Sequence, residues 1–411
     1  MLLRKLSITA IASLTLLSPF AAVSQNAQAA TFSSGEVTQV HHFQKEYANL
    51  SKKIYSQNNI YTTAPHLTKP FSAGKIQQDY INDQLAYINY YRSLFGLPPI
   101  VDNKTANKSA QKTASVMAAI NANPFINQHG LPNEQRPAYI NKSIWKLAQD
   151  TSETSNLNFN VSDQSAGDVV TDLLTDHYNL TGSDTGHRAW LLSTRLTSTG
   201  IGAAYGTNGY RYSVQKVLNV DDLFQNASQP TVAYPSAGVF PVELTKGKNI
   251  AWSLYLSNKI FAGKPKVTIT DKDTNTSYNA KKVTNYSSAG YGNFKTVITY
   301  SPGKTPIIAG HEYQVKVGNL YTYTFKLFKQ NTVTESDQVA DKAKTYQRVS
   351  EQQNPHAKSA FLNQSAKLWA ALNSKSDHYK VTNYFDSLKK GQWNHNFFIR
   401  HFLKDFTVKF K

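Results

Sequence analysis

The stretch Gly186-His187-Arg188-Ala189-Trp190-Leu191-Leu192 is followed, eight positions after Leu192, by Gly200-Ile201-Gly202-Ala203-Ala204-Tyr205. The first run reads as the opening of an apolar helix behind the capping candidates Ser183, Asp184 and Thr185; the second reads as a turn leading into a buried strand. A helix start of this kind puts an ionisable imidazole, His187, in the first turn, where it can face a pocket. Trp190, Leu191 and Leu192 fit a core better than a ligand contact.

Working outward, the run Tyr210 to Val220 is rich in β-formers and joins the preceding strand through Gly206-Thr207-Asn208-Gly209, a hairpin signal. Upstream, Val169, Val170, Leu173 and Leu174 mark a helix that follows Ser162 or Asp163. The small residues Ala106, Ala110, Thr113 and Ala114 mark another from Lys104 to Ala122. Ile76, Tyr80, Ile81, Leu85, Ile88 and Tyr91 define a helix closed by Gly96 with Pro98-Pro99 beyond. Helices followed by strands predict an α+β unit in which helices cover a small sheet. Further back, Val37, Val40, Phe43, Tyr47, Leu50 and Ile54 predict an amphipathic helix over 34–55 with a packing role, and Ser56 to Gly74 reads as a polar linker.

At the start, Arg4 and Lys5 precede an apolar run from Leu6 to Leu17, and Ala27-Gln28-Ala29 has the small-x-small pattern of a cleavage site. Residues 1–29 therefore read as a signal peptide. No later stretch approaches the roughly 20 apolar residues of a membrane span, and no Leu-Pro-x-Thr-Gly sorting signal is present. The 411 residues include no Cys, so this exported chain must rely on ordinary cores, as fits a bacterial exported protein. With 44 Lys+Arg against 26 Asp+Glu the formal charge is +18. Such a charge attracts polyanions, here wall polymers, envelope glycans or anionic headgroups, and equally describes a solvated surface. No nucleic-acid motif accompanies it.

Ile76 to Val220 resembles the CAP superfamily, the cysteine-rich secretory and pathogenesis-related fold, in a cysteine-free bacterial branch. The resemblance lies in Tyr87-Ile88-Asn89-Tyr90-Tyr91-Arg92 with Gly96-Leu97-Pro98-Pro99, in His129-Gly130, in Glu153-Thr154-Ser155-Asn156-Leu157, and in Gly186-His187-Arg188 with Gly200-Ile201-Gly202. It implies a central cavity lined by His129, Glu153 and His187, with Asp172 or Asp176 projecting from the preceding helix. Some family members hold a divalent metal there, so Zn²⁺ is the cofactor the resemblance brings into view, with His129, Glu153 and His187 as its ligands. Two imidazoles and a carboxylate suit an ion that keeps an open position. From the residues alone, His187 can equally be a helix-start histidine bonded to a carboxylate. Glu153 can equally cap a turn, and Asp172 and Asp176 can be solvated. Arg188 is expected to pair with one of these acids.

Beyond a polar break at Gln225 to Thr231, strand-like runs at Ile250–Leu256, Lys266–Thr270, Phe294–Tyr300, Tyr313–Val317 and Tyr321–Phe328 predict a β-sandwich. Tyr321, Tyr323, Phe325 and Leu327 alternate with Thr and Lys, giving one buried face. The opening Tyr234-Pro235 to Phe240-Pro241 resembles the immunoglobulin-like companion of some bacterial CAP domains, for display or adhesion or as a spacer. From Asn331 onward the chain turns polar and helical, then ends in rings such as Tyr379, Trp393 and Phe402 interleaved with Lys and Arg, a composition suited to docking on an envelope and equally to the packing of a small C-terminal domain against the sandwich.

The expected layout is a signal peptide (1–29), an N-terminal helix and linker (30–74), a CAP-type helix/sheet sandwich (75–228), an all-β immunoglobulin-like sandwich (229–330) and a short, partly helical, basic aromatic C-terminal region (331–411). The expected function is extracellular binding at the cell envelope or a host surface, with the protein secreted and held at the wall without a covalent bond. The alternative is a metal-assisted hydrolase of peptide or wall polymer working through the His/Glu cavity. Serine hydrolase and Cys chemistry are disfavoured, because there is no Gly-x-Ser-x-Gly turn and no Cys.

Overall fold

The computed structural model of the chain describes residues 32–180, 183–247 and 249–331. The expected signal peptide and the basic aromatic C-terminal region lie outside the described residues, apart from Asn331. The helices are α1 (Ser34–Asn49), α2 (Gln78–Leu94), α3 (Lys104–Ala119), α4 (Lys142–Glu153), α5 (Ala166–Thr175) and α6 (Gly186–Leu191). The strands of the first half are β1 (Ile54–Tyr55), β2 (Tyr61–Thr63), β3 (Lys75–Ile76), β4 (Val101–Asp102), β5 (Ser155–Asn160), β6 (Gln164–Ser165), β7 (Ser198–Tyr205) and β8 (Arg211–Lys216).

β7 is the hub. It pairs antiparallel with β8 and briefly parallel with β4, and β8 pairs with β5, giving a sheet in the order β4-β7-β8-β5. Because side chains alternate along a strand, Ile201, Ala203 and Tyr205 join Tyr80 and Ile81 of α2 on one face, while Ala204 joins Ala110, Ala114 and Met117 of α3 on the other. Glycine at 200 and 202 lets α3 lie directly on the strand: a Cβ at Gly200 would sit 2.4 Å from the Ala106 Cβ, and one at Gly202 2.3 Å from the Ala110 carbonyl carbon.

β4 reaches only Ser198 and Thr199, which leaves the rest of that β7 edge needing acceptors. Asn107 and Gln111, four apart on α3, supply them: the Ile201 N–H donates to Asn107 Oδ1 at 2.8 Å and the Ala203 N–H to Gln111 Oε1 at 3.1 Å. The Tyr205 N–H donates to the Tyr61 hydroxyl at 2.8 Å.

That last bond shows why the supposed linker is part of the fold. Ile60 is fully buried, β1 pairs with β6 and β2 with β3, and the Ala73 carbonyl accepts from Gln111 and Ser115. The segment lacks a period because it folds in short pieces against a finished sheet. For the same reason α1 stops at Asn49 rather than near Tyr55, and Ile54–Tyr55 becomes a strand. Helix α4 has no counterpart in the sequence expectations. Its buried stripe of Trp145, Ala148, Thr151 and Ser152 is short and half polar, although Asn141 caps it through a bond from the Ser143 N–H.

The second half contains β9 (Thr231–Tyr234), β10 (Gly238–Pro241), β11 (Trp252–Leu256), β12 (Val267–Asp271), β13 (Thr276–Asn279), β14 (Lys281–Asn285), β15 (Thr296–Ser301), β16 (Glu312–Val317) and β17 (Tyr321–Phe328). They form two sheets, β14-β15-β11-β9 and β10-β17-β16-β12-β13, with β10 parallel to β17. Trp252 of the first sheet meets Phe325 of the second edge-on at 5.5 Å, so the sheets face each other across aromatic packing. All five strand-like runs form. β13 and β14 have no apolar face, and no sequence pattern marks them.

One apolar cluster runs from Leu94, Leu173 and Leu191 in the helices to Tyr234, Trp252 and Phe325 in the sheets. Phe95 stacks on Tyr234 with ring centroids 5.9 Å apart. Helix α1 lies against the same body: Phe43 stacks on Phe328, and Lys326 pairs with Glu36 at 2.7 Å.

Candidate functional site

Two helix ends build the site. α5 opens on a capping box formed by Ser165 and Asp168 and stops where Asp176 turns left-handed at φ 57°, a conformation that Asp tolerates better than most residues. The turn buries the Asp176 carboxylate and aims it at α6. Asp176 Oδ1 lies 2.8 Å from His187 Nδ1, and Asp176 Oδ2 accepts from the Arg188 N–H at 3.4 Å. Ahead of α6, Asp184 Oδ1 accepts from the Gly186 N–H at 3.1 Å, and Asn179 Nδ2 donates to both Asp176 and Asp184. The Asp176 side chain is 1 % exposed and that of His187 22 %. The carboxylate is therefore sealed and the imidazole reaches solvent.

His129 comes from the loop before α4. Its Nδ1 lies 2.9 Å from the Ser152 carbonyl oxygen, and the Gly130 N–H donates to Ser152 Oγ at 3.0 Å, so the end of α4 fixes the loop. A carbonyl only accepts, so Nδ1 carries the proton and the neutral ring presents Nε2 as acceptor. Gly130 has φ +75°, and a Cβ there would sit 2.8 Å from Glu153 Oε2. The positive φ favours glycine at this position, and the lack of a Cβ lets the Glu153 carboxylate lie against the His129 loop. Glu153 is the exposed last residue of α4, and the next strand is tied in through Asn156 Nδ2, which donates to the His187 carbonyl at 3.1 Å.

The two imidazoles are driven apart electrostatically. Burial pulls the His187 pKa down, but the charge and hydrogen bond of Asp176, helped by Asp184, outweigh it and hold His187 above the usual histidine value. Burial also pulls His129 down; the Ser152 carbonyl opposes this, the charge of His187 adds to it, and Glu153 and Asp184 oppose it, leaving His129 below the usual value. His129 therefore feels the charges of His187, Glu153 and Asp184. One imidazole held toward its charged form and another held toward its neutral form are suited to holding a polar or anionic group.

Asp172 belongs elsewhere. Its Oδ2 accepts from Gln164 Nε2 at 3.1 Å, and Gln164 Oε1 in turn accepts from the buried Arg211 at 2.7 Å. Arg188 does not place its guanidinium on Asp172 or Asp176. It is fully buried and donates to the carbonyls of Leu174 at 2.6 Å, Thr175 at 2.7 Å and Ala251 at 2.6 Å, with its guanidinium 3.7 Å from the Tyr234 ring centroid. It joins the C-terminus of α5 to the β-sheet half, where a basic group also suits the helix dipole.

Three contributors carry weaker sequence signals. Asp184 was visible only as a capping candidate. His177, whose Nδ1 bonds Thr175 Oγ1 at 2.7 Å, is pulled down to about 4 by burial, against the charge of Asp176. Tyr291 comes from the other half of the chain and donates to Asp184 Oδ2 at 3.1 Å; burial and the charge of Asp184 raise its pKa to about 12, so it stays a donor. No local pattern links positions 184 and 291.

Residues 85–217 match the family model of CAP, the cysteine-rich secretory protein family. Residues 85–217 are a CAP domain. The match spans α2 through β8, the elements that carry His129, Glu153, Asp176 and His187. No curated protein matches the chain. In this CAP domain, which contains no Cys, the buried guanidiniums of Arg92, Arg188 and Arg211 tie distant carbonyls together.

The donor set has the chemistry of a metal site. Among the described residues, however, the His, Asp and Glu side chains with three ligand atoms within 4.8 Å of one another are Asp271, Asp273 and His311, in the β-sheet half. First-shell bonds to Zn²⁺ are about 2 Å long, so His129, Glu153 and His187 as arranged do not fit a shared ion.

Proposed function

We propose that this is an exported CAP-domain protein that acts by binding outside the cell, at the envelope or a host surface, and not by turnover. One observation carries the reading: both site histidines have Nδ1 committed to fixed acceptors, while no three donors of the set close on one point. That arrangement recognises a polar or anionic group. A hydrolase would need a tighter constellation around a reacting atom. The leader-like first 29 residues and the net charge of +18 support an extracellular setting rich in polyanions. The facing sheets after the CAP domain serve, in this reading, as an immunoglobulin-like companion for display or adhesion, packed so closely that the two halves bind as one body.

The test is sedimentation of the purified full chain, without its leader, with isolated Gram-positive cell walls before and after removal of teichoic acid. Binding that falls when the polymer is removed is expected. Failure to bind either preparation overturns the envelope reading.

A further inference from the structure

We propose that a groove in the β-sheet half, between Ile260–Lys264 and Asn285–Lys295, binds the backbone of a linear phosphodiester polymer. This rests on the envelope-binding reading and gives it a site. From Gln229 to Asn331 there are thirteen lysines and no arginine against four acids, which leaves a net +9. All four acids are engaged internally: Glu243 accepts from the Gln330 N–H, Asp271 and Asp273 hold a turn with His311, and Glu312 pairs with Lys272. None lines the groove, which encloses about 680 Å³ and has Lys264 and Lys295 among its walls. Both lysines are exposed, as is the adjacent Lys259.

The groove is preformed. Asn285 Nδ2 donates to the carbonyls of Phe261 and Gly263, each at 2.9 Å, and the Phe261 N–H donates to Thr296 Oγ1 at 2.9 Å. A fixed loop lowers the ordering cost of binding. The lining mixes Phe261 and Phe294 with Ser287 and Ser288, and Ile260 at its rim is 76 % exposed. Phosphates spaced by polyol or sugar units match this pattern, with charge for the lysines and carbon and hydroxyl groups for the rings and serines. The wall segment from Asn285 to Lys295 also carries Tyr291, which bonds Asp184 behind His187. A polymer in the groove therefore lies against the segment that backs the CAP site.

The experiment is calorimetric titration of the full chain with soluble poly(glycerol phosphate) at low and high salt, comparing wild type, Lys264→Glu/Lys295→Glu and Lys304→Glu/Lys316→Glu. The last variant makes the same charge change at exposed lysines outside the groove lining. Circular dichroism checks the fold of each variant. The expected result is salt-sensitive binding that weakens about tenfold or more in the groove variant and less than about twofold in the control, since local phosphate contacts are lost in only one. Equal weakening in both overturns the groove while leaving the envelope reading intact. So does wild type that binds walls but not the polymer. Anionic lipid vesicles that bind with the same lysine dependence overturn the choice of polymer. Failure to bind walls overturns the reading beneath it.

Discussion

Among the described residues, two histidine–aspartate pairs have nearly the same geometry and opposite surroundings. His187 Nδ1 meets Asp176 at 2.8 Å in the CAP domain, and His311 Nδ1 meets Asp271 at 3.0 Å in the β-sheet half. The His311 side chain is 6 % exposed against 22 % for His187. Asp271 also accepts from the N–H groups of Asp273 and Thr274, which makes it the acceptor of a turn as well as a partner for the ring. Around His187 there are a second imidazole, His129, and a further buried carboxylate, Asp184. A His–Asp pair alone is therefore structural. What turns one into a candidate site is an open ring nitrogen and other charges that respond to it.

Arg188 gives the largest expected effect. Replacement by Met leaves three buried carbonyls without their donor and is expected to cost about 4 kcal/mol in denaturant unfolding, because each orphaned polar group costs roughly 1–3 kcal/mol. Both halves share the loss through their common core. Two separate transitions, with the β-sheet half unaffected, would break the view of one packed body.

Asp271→Ala comes next. It strands His311 and two turn N–H groups, and the expected loss is about 3 kcal/mol, with the titration of His187 unmoved. A shift in His187 would erase the contrast between the two pairs.

Asp176→Asn keeps a residue that tolerates the left-handed turn, and its stability cost is expected to be about 1 kcal/mol. The pH dependence carries the information. His187 is raised when folded, so its stabilisation is fully present below the unfolded histidine value of about 6.5 and is lost as pH rises through the folded value. The gap in stability between wild type and Asp176→Asn is therefore expected to be widest in mild acid and to shrink as pH rises. A gap that grows with pH would reverse the assignment.

Tyr291→Phe is the smallest. It removes one hydrogen bond to Asp184 and should cost about 1 kcal/mol or less, measured by thermal unfolding, while leaving the groove lysines in place.

Much of this arrangement was legible in the sequence, for physical reasons that differ by element. Gly200-Ile201-Gly202 announced a strand, and the alternation in Tyr321 to Phe328 set a buried face, because one-sided burial writes a period into the chain. His129, Glu153 and His187 were found through the family resemblance, and the structure sets Glu153 against the His129 loop. The residues between Ser56 and Gly74 left no period, since they fill gaps on a sheet formed by others. Helix α4 buries too narrow a stripe to stand out. Arg188 was expected beside an acid because its charge suggested one, but five fixed donors suit a cluster of carbonyls just as well. Asp172 shares a helix with Asp176, and only the left-handed turn after Thr175 sends one of them to His187.

The account's central claim is that the CAP site shifts its two imidazoles in opposite directions from the ordinary histidine value, His187 upward and His129 downward. NMR titration of the imidazole ring protons in the full chain tests it directly. The account predicts that His187 titrates above about 6.5 and His129 below it, and that Asp176→Asn takes His187 below the ordinary value. Two histidines titrating together near the ordinary value, unmoved by Asp176→Asn, would contradict it.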